Sequence, residues 1–164
     1  LLLDAEKKGE YMQAIESLGL TCFTVKPFPE FVPEHCFLIG QLIRGRRVID
    51  IHGISALLLS EGVSPDDTDV CCVRWHASGS IARVFSRYQP SALPLAVVWA
   101  ICTDESDQLD TVNHFLVADD LGRPAAISLV FNEEEQGWYV ARSANHELCY
   151  AGDRLFFAKT QETS

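Results

Sequence analysis

The sequence predicts an α+β fold: a curved antiparallel sheet or partial barrel of about 6–8 short strands, mostly after residue 70, with N-terminal helices packed on one face. Three observations carry this expectation. Apolar and β-branched runs recur at about ten-residue spacing from Val70 onward. Turn-forming clusters rich in Gly, Asp, Asn and Ser separate them. Ahead of them lies an apolar stripe at helical spacing, Tyr11, Ile15 and Leu18.

Size and composition set the frame. A chain of 164 residues fits one globular domain, residues 1–164, and can bury roughly 68–70% of the surface its unfolded form exposes. With 48% hydrophobic and 22% charged residues, disorder is disfavoured. The formal charge of −10, from 13 basic and 23 acidic side chains, argues against nucleic acid or an anionic membrane as partner, since both reward a dominant positive field. The acids gather in expected loops, among them Asp66, Asp67, Asp104, Asp110, Asp119 and Glu133 to Glu135, and are expected to form a solvated rim. Asp67-Thr68-Asp69 belongs to that rim, having too few oxygens for calcium.

The elements follow in order. Asp4 is placed to cap a helix through Leu18, with Gly19 as its stop. Pro27, Pro29 and Pro33 forbid helix over Thr21 to Pro33 and leave Phe23, Val25, Phe28 and Phe31 as core pegs. Glu34 to Arg44 reads as a second helix with Pro33 in its first turn; a buried strand is the alternative, because Gly40 interrupts it. Arg44, Arg46 and Arg47, the dense basic cluster, suit the negative C-terminal end of that helix. Val48 to Ile51 reads as a strand and Ile54 to Ser60 as a short apolar helix ended by Gly62. Ser64-Pro65-Asp66-Asp67 carries a helix-start signal that competes with a strand over residues 65–76, and one helical turn before the strand satisfies both.

Val70 to Tyr88 reads as a hairpin turning at Ser78-Gly79. Cys71, Val73, Trp75, Ala82 and Val84 then face a core. Arg74, His76, Arg83 and Arg87 share the other face with Cys72, Ile81 and Phe85. In this register Arg74 lies opposite Arg83, and two opposed arginines require water, acidic neighbours or an anionic ligand. Arg74, His76, Arg83 and Arg87 are therefore the predicted ligand-binding residues.

Leu95 to Cys102 is continuously apolar, as a central strand covered on both faces would be. A meander follows: Val112 to Ala118, Ala125 to Phe131 and Trp138 to Arg142, then His146 to Tyr150 paired with Arg154 to Lys159. Thr160 to Ser164 is expected to fray.

Chemical motifs are sparse. The six cysteines include the adjacent Cys71-Cys72, have mostly apolar neighbours and follow no secretory signal, which predicts free thiols in a reducing cytoplasm. The apolar run Leu93 to Cys102 is far short of the ~20 residues a membrane-crossing helix needs. Zinc is conceivable at Cys71-Cys72-x3-His76 and His146-x2-Cys149, but residues four apart on a strand lie ~13 Å apart, so no metal or cofactor is expected. His114, sharing a strand face with Val112 and Leu116, reads as a satisfied core or edge histidine. Gly53-Ile54-Ser55-Ala56-Leu57 lacks the closing glycine of a nucleophile elbow, and phosphate-loop, dinucleotide and zinc-protease motifs are missing. The expectation is a non-enzymatic interaction or regulatory module, cytoplasmic, binding a protein partner or small anionic ligand. The alternative is a small enzyme using a Cys/His pair in the sheet's concavity.

Overall fold

A computed structural model of the chain describes residues 20–27, 33–54, 66–75, 78–86, 91–119, 121–143 and 147–159. Their strands are β1 (Leu20–Val25), β2 (Leu42–Ile43), β3 (Arg46–His52), β4 (Thr68–Arg74), β5 (Gly79–Ser80), β6 (Val112–Ala118), β7 (Pro124–Asn132), β8 (Gly137–Ser143), β9 (Leu148–Cys149) and β10 (Arg154–Ala158). Two helices are present among them, α1 (Ile81–Ser86) and α2 (Leu95–Thr103). Eight strands form a curled half-barrel sheet in the order β1-β4-β10-β6-β7-β8-β3-β2, and β5 pairs with β9 apart from it. Pairing is antiparallel except at β10/β6 and β3/β8, which are parallel.

Alternation along the strands gives the sheet two working faces. Val70, Cys72, Phe115, Val117, Ile127, Leu129, Trp138, Val140 and Phe156 join the larger core, which α2 covers. Cys71, Val73, Leu116, Ala126, Leu155 and Phe157 point the other way, into a smaller core closed by Ile81 and Phe85 of α1 and by Cys149 of β9. The curl is accompanied by a register shift between Val48 and Asp50 opposite β8. Gly137 suits that bend, because a Cβ there would lie 2.8 Å from the Arg47 carbonyl oxygen and collide with Ile49.

The expected α+β architecture is corrected. The described chain is dominated by sheet, and its two helices follow residue 80 instead of preceding the sheet. The expected helix Asp4 to Leu18, most of Ile54 to Ser60, the Ser64-Pro65 signal and the frayed end Thr160 to Ser164 lie outside the described residues, as do Phe28 and Phe31. Glu34 to Arg44 is not a helix. A single 3-10 turn, Pro33–His35, precedes β2, and Arg44-Gly45 forms a two-residue hairpin turn into β3. Both residues have positive φ, 53° and 74°, as type I′ turns require. The arginine cluster therefore sits on a hairpin, not a helix end.

Leu95 to Cys102 is helical. An unbroken apolar run reads alike for a buried strand and a buried helix. Here the helix prevails because it satisfies its own backbone groups while burying Leu95, Ala96, Val97, Val98, Ala100, Ile101 and Cys102 against the sheet.

The hairpin Val70 to Tyr88 is replaced as well. Its first strand is β4, but Gly79–Ser80 pairs with β9, and the chain then turns helical. Ser80 Oγ accepts the Arg83 N–H at 3.3 Å, a capping contact. Ile81 and Phe85, one turn apart, are both buried, and the Phe85 ring meets Phe157 edge-on at 6.5 Å. The last expected pair fails for the same reason: β9 has β5 as partner, and β10 enters the large sheet between β4 and β6. The 150–153 reversal is tied instead to the end of β4, through Trp75 N–H to Asp153 O and Gly152 N–H to Trp75 O, both 2.7 Å.

Candidate functional site

Asn113 builds the first site. Wholly buried on β6, its side chain accepts the Asp110 N–H at 2.8 Å and donates to the carbonyls of Asp110 at 2.7 Å and Leu129 at 3.2 Å. The corner before β6 is thereby fixed, and Asp110 closes it with Oδ1 accepting the Thr111 N–H at 2.8 Å. Its other oxygen faces arginines. Arg74 Nη2 lies 2.9 Å from Oδ2 and Arg154 Nε 3.8 Å, while Arg154 Nη1 donates to the Gln108 carbonyl at 2.6 Å.

Beside this corner, Arg44, Arg46, Asp110, Thr111, Phe131 and Trp138 line a cavity of about 230 Å³. Trp138 is held by donating Nε1–H to the Ile43 carbonyl at 2.8 Å, and Phe131 meets it edge-on at 5.2 Å. Arg44 Nη1 donates to the Leu109 carbonyl at 2.9 Å. The cavity thus has rigid aromatic walls and two cations, and its one carboxylate is already engaged by Arg74.

Of the predicted ligand-binding residues, Arg74 reaches this corner, at the end of β4. Arg83 is exposed on α1, which packs on the opposite face of the sheet, so Arg74 and Arg83 are not cross-strand partners. His76 and Arg87 lie outside the described residues. Arg44, Arg46 and Arg154 were not assigned to the site from sequence. The first two carried a signal as a dense basic cluster; Arg154 carried none, because its place beside Arg74 depends on β10 crossing into the sheet.

A second constellation occupies the other face. His114 and Ser128 are directly opposed on β6 and β7, with Nδ1 2.6 Å from Ser128 Oγ. Ser128 Oγ also contacts Ser143 Oγ, diagonally across β8. His114 Nε2 lies 3.1 Å from Asp153 Oδ2, and that oxygen accepts the Tyr150 N–H at 3.0 Å. His114 is therefore a buried and satisfied histidine, as its strand position suggested. His146, the histidine weighed with Cys149, lies outside the described residues.

Thiol chemistry is poorly served. None of the six cysteines is in a disulfide. Burial, and next the nearby Asp153 charge, push the Cys149 thiol up to about 12. Burial likewise raises Cys36 and Cys71 to about 12 and Cys72 to about 11, and it raises Cys102 further. At neutral pH these five groups are thiols and not the nucleophilic thiolate. No helix among the described residues is long and apolar enough to cross a membrane. No family model, curated protein or solved structure matches the chain.

Proposed function

We propose that this protein is a non-enzymatic binding module for a small organic anion, seated at Arg44 and Arg46. The observation that carries this reading is the cavity itself. Two arginines border fixed aromatic walls, while Asp110, the one acid in the lining, has its charge taken up by Arg74. A positive pocket on a chain of net charge −10 is a local exception to the protein's field, and fields of that kind guide ligands of opposite sign. At about 230 Å³ the cavity is smaller than the ~300–1,000 Å³ typical of drug-sized ligands. It suits a compact carboxylate with a flat apolar body: the carboxylate against the guanidinium groups, the body against Phe131 and Trp138. Burial raises five of the six thiols, which weighs against the Cys/His enzyme alternative.

Calorimetry with benzoate, inorganic phosphate and benzyl alcohol tests the reading. Saturable benzoate binding is expected, with benzyl alcohol far weaker and Arg46→Ala reducing benzoate affinity at least tenfold, since a charge-assisted hydrogen bond contributes about 1.5–3 kcal/mol. Benzyl alcohol binding as well as benzoate, phosphate and benzoate both failing to bind, or Arg46→Ala leaving affinity unchanged would each reject it.

A further inference from the structure

We infer that His114, Cys149 and Asp153 form a site for a divalent transition metal, with zinc the ion their donor set suits best. One ligand atom from each residue lies within 4.8 Å of the other two, and all three residues are buried. Among the described residues no other three such side chains gather in this way. Imidazole, thiolate and carboxylate are the three ligand types zinc takes, and three protein ligands leave its fourth position open. In a tetrahedral zinc site with ordinary bond lengths the ligand atoms are about 3.3–3.6 Å apart. His114 Nε2 and Asp153 Oδ2, at 3.1 Å, are already close to that spacing.

The surroundings suit the role. Cys149 and Asp153 flank one chain reversal, which the Tyr150 N–H bond to Asp153 and the two main-chain bonds to Trp75 hold in place. His114 comes from β6, beside β10 in the sheet, so an ion would tie the reversal to the strand at which β10 is inserted. The far nitrogen of His114 has the partner that metal-binding histidines need: Nδ1 faces Ser128 Oγ, which faces Ser143 Oγ.

That serine pair accommodates both states of the ring. Without metal, Nε2–H donates to Asp153, and Ser128 donates to Nδ1. With metal, Nε2 carries the lone pair, Nδ1–H donates to Ser128, and Ser128 turns its proton toward Ser143. Each hydroxyl keeps its own proton and the imidazole stays neutral. Metal entry therefore displaces one proton, from the Cys149 thiol, as the metal–sulfur bond forms. The site is not legible in the sequence, because Cys149 meets a histidine on a distant strand. The site lies on the face opposite the arginine cavity and does not depend on it.

The test is titration of metal-free, reduced protein with Co(II) and then Zn(II). One equivalent of cobalt should produce a thiolate-to-cobalt charge-transfer band, one equivalent of zinc should abolish it, and zinc should raise the thermal midpoint. Cys149→Ser should lose the band and weaken cobalt binding at least tenfold, and Cys22→Ser should keep both. Because Cys149→Ser is a buried change, zinc-edge X-ray absorption on the wild-type and Cys22→Ser proteins supplies a readout independent of its folding, with one sulfur expected in the coordination shell. No stoichiometric uptake, a shell without sulfur, or a band that persists in Cys149→Ser would overturn the inference.

Discussion

Arg74 and Arg154 stand directly opposite each other across β4 and β10, and the Asp110 carboxylate reaches both, at 2.9 and 3.8 Å. Like charges at directly opposed positions repel, so this register depends on a third strand. Arg154 is paired on its other side with Asn113 of β6, the residue that fixes the Asp110 corner. The insertion of β10 between β4 and β6 thus brings both the repulsion and the acid that relieves it. Because Asp110 is occupied there, Arg44 and Arg46 remain the cations of the neighbouring cavity.

Asp110→Asn should therefore have two effects of opposite sense. It should lower stability by about 1 kcal/mol at low ionic strength, the scale of an exposed pair together with an unrelieved like-charge contact. Urea unfolding should show the loss shrinking in 1 M salt, where the Debye length is about 3 Å. Benzoate affinity should rise, because the cavity loses its acid. A salt-independent loss would trace the effect to the fit of the amide at this corner and not to charge, and weaker benzoate binding would contradict the assignment of the cations.

The Arg44-Gly45 turn separates stability from binding. Arg44 holds a φ of 53°, where a side chain costs roughly 1–2 kcal/mol, and its hydrogen bond to Leu109 returns about 1 kcal/mol. Arg44→Gly relieves one and removes the other, so urea midpoints should stay within about 1 kcal/mol of wild type while benzoate binding weakens severalfold. Gly45→Ala should do the reverse. A Cβ there meets no atom within 4 Å, so its cost of about 1–2 kcal/mol is conformational alone, and the cavity side chains are untouched.

The sequence made legible those features whose cause is local. The runs Val112 to Ala118, Ala125 to Phe131 and Trp138 to Arg142 are bounded by turn residues, and the structure has β6, β7 and β8 there. The apolar alternation of Cys71, Val73 and Trp75 marked a core face, and the three share one core. What was not legible depends on distant partners. Local pairing would turn at Ser78-Gly79 and join Ile81 to Phe85 to β4, yet Gly79–Ser80 pairs with β9 and Ile81–Ser86 is helical. The expected pairing of Arg74 with Arg83 does not form, and Arg154 stands opposite Arg74 instead; nothing near Arg154 in the chain indicates that it crosses there. Leu95 to Cys102, expected as a central strand, is a helix, and complete burial erases the periodicity that would have told the two apart. Asp119, placed in the solvated rim by its loop, is instead buried.

Asp119 predicts a pH effect. Its carboxylate accepts the Arg123 and Leu121 N–H groups at 2.8 and 2.9 Å and the Arg123 Nε–H at 2.9 Å. The backbone bond from Arg123 leads in holding it below the ordinary carboxylate value. A depressed acid contributes stability that is present above its unfolded value, near 3.8, and is lost as pH falls through the lower folded value. Asp119→Asn should therefore unfold at lower urea than wild type at pH 7, with the gap narrowing below about pH 4. A gap constant from pH 7 to pH 3 would assign the effect to shape and not charge.

Cys22 and Cys71 are directly opposed on β1 and β4, with sulfurs 3.5 Å apart. Opposed strand positions fall within the Cα separation a disulfide allows. Cys22 is exposed and is the sulfur an oxidant such as diamide meets first, after which Cys71 attacks the activated sulfur and the bridge forms with reduction of the diamide. Thiol titration of the unfolded chain should then fall from the six cysteines of the sequence to about four, the cost of one bridge. Closing a loop of this length stabilises by about 4 kcal/mol in the chain-entropy account, so the oxidised protein should melt higher. Cys22→Ser should abolish both changes. Loss of thiols without a higher midpoint would mean that the bridge strains the β1–β4 pairing, and full retention of thiols would mean that Cys71, held as a thiol by burial, does not complete the reaction.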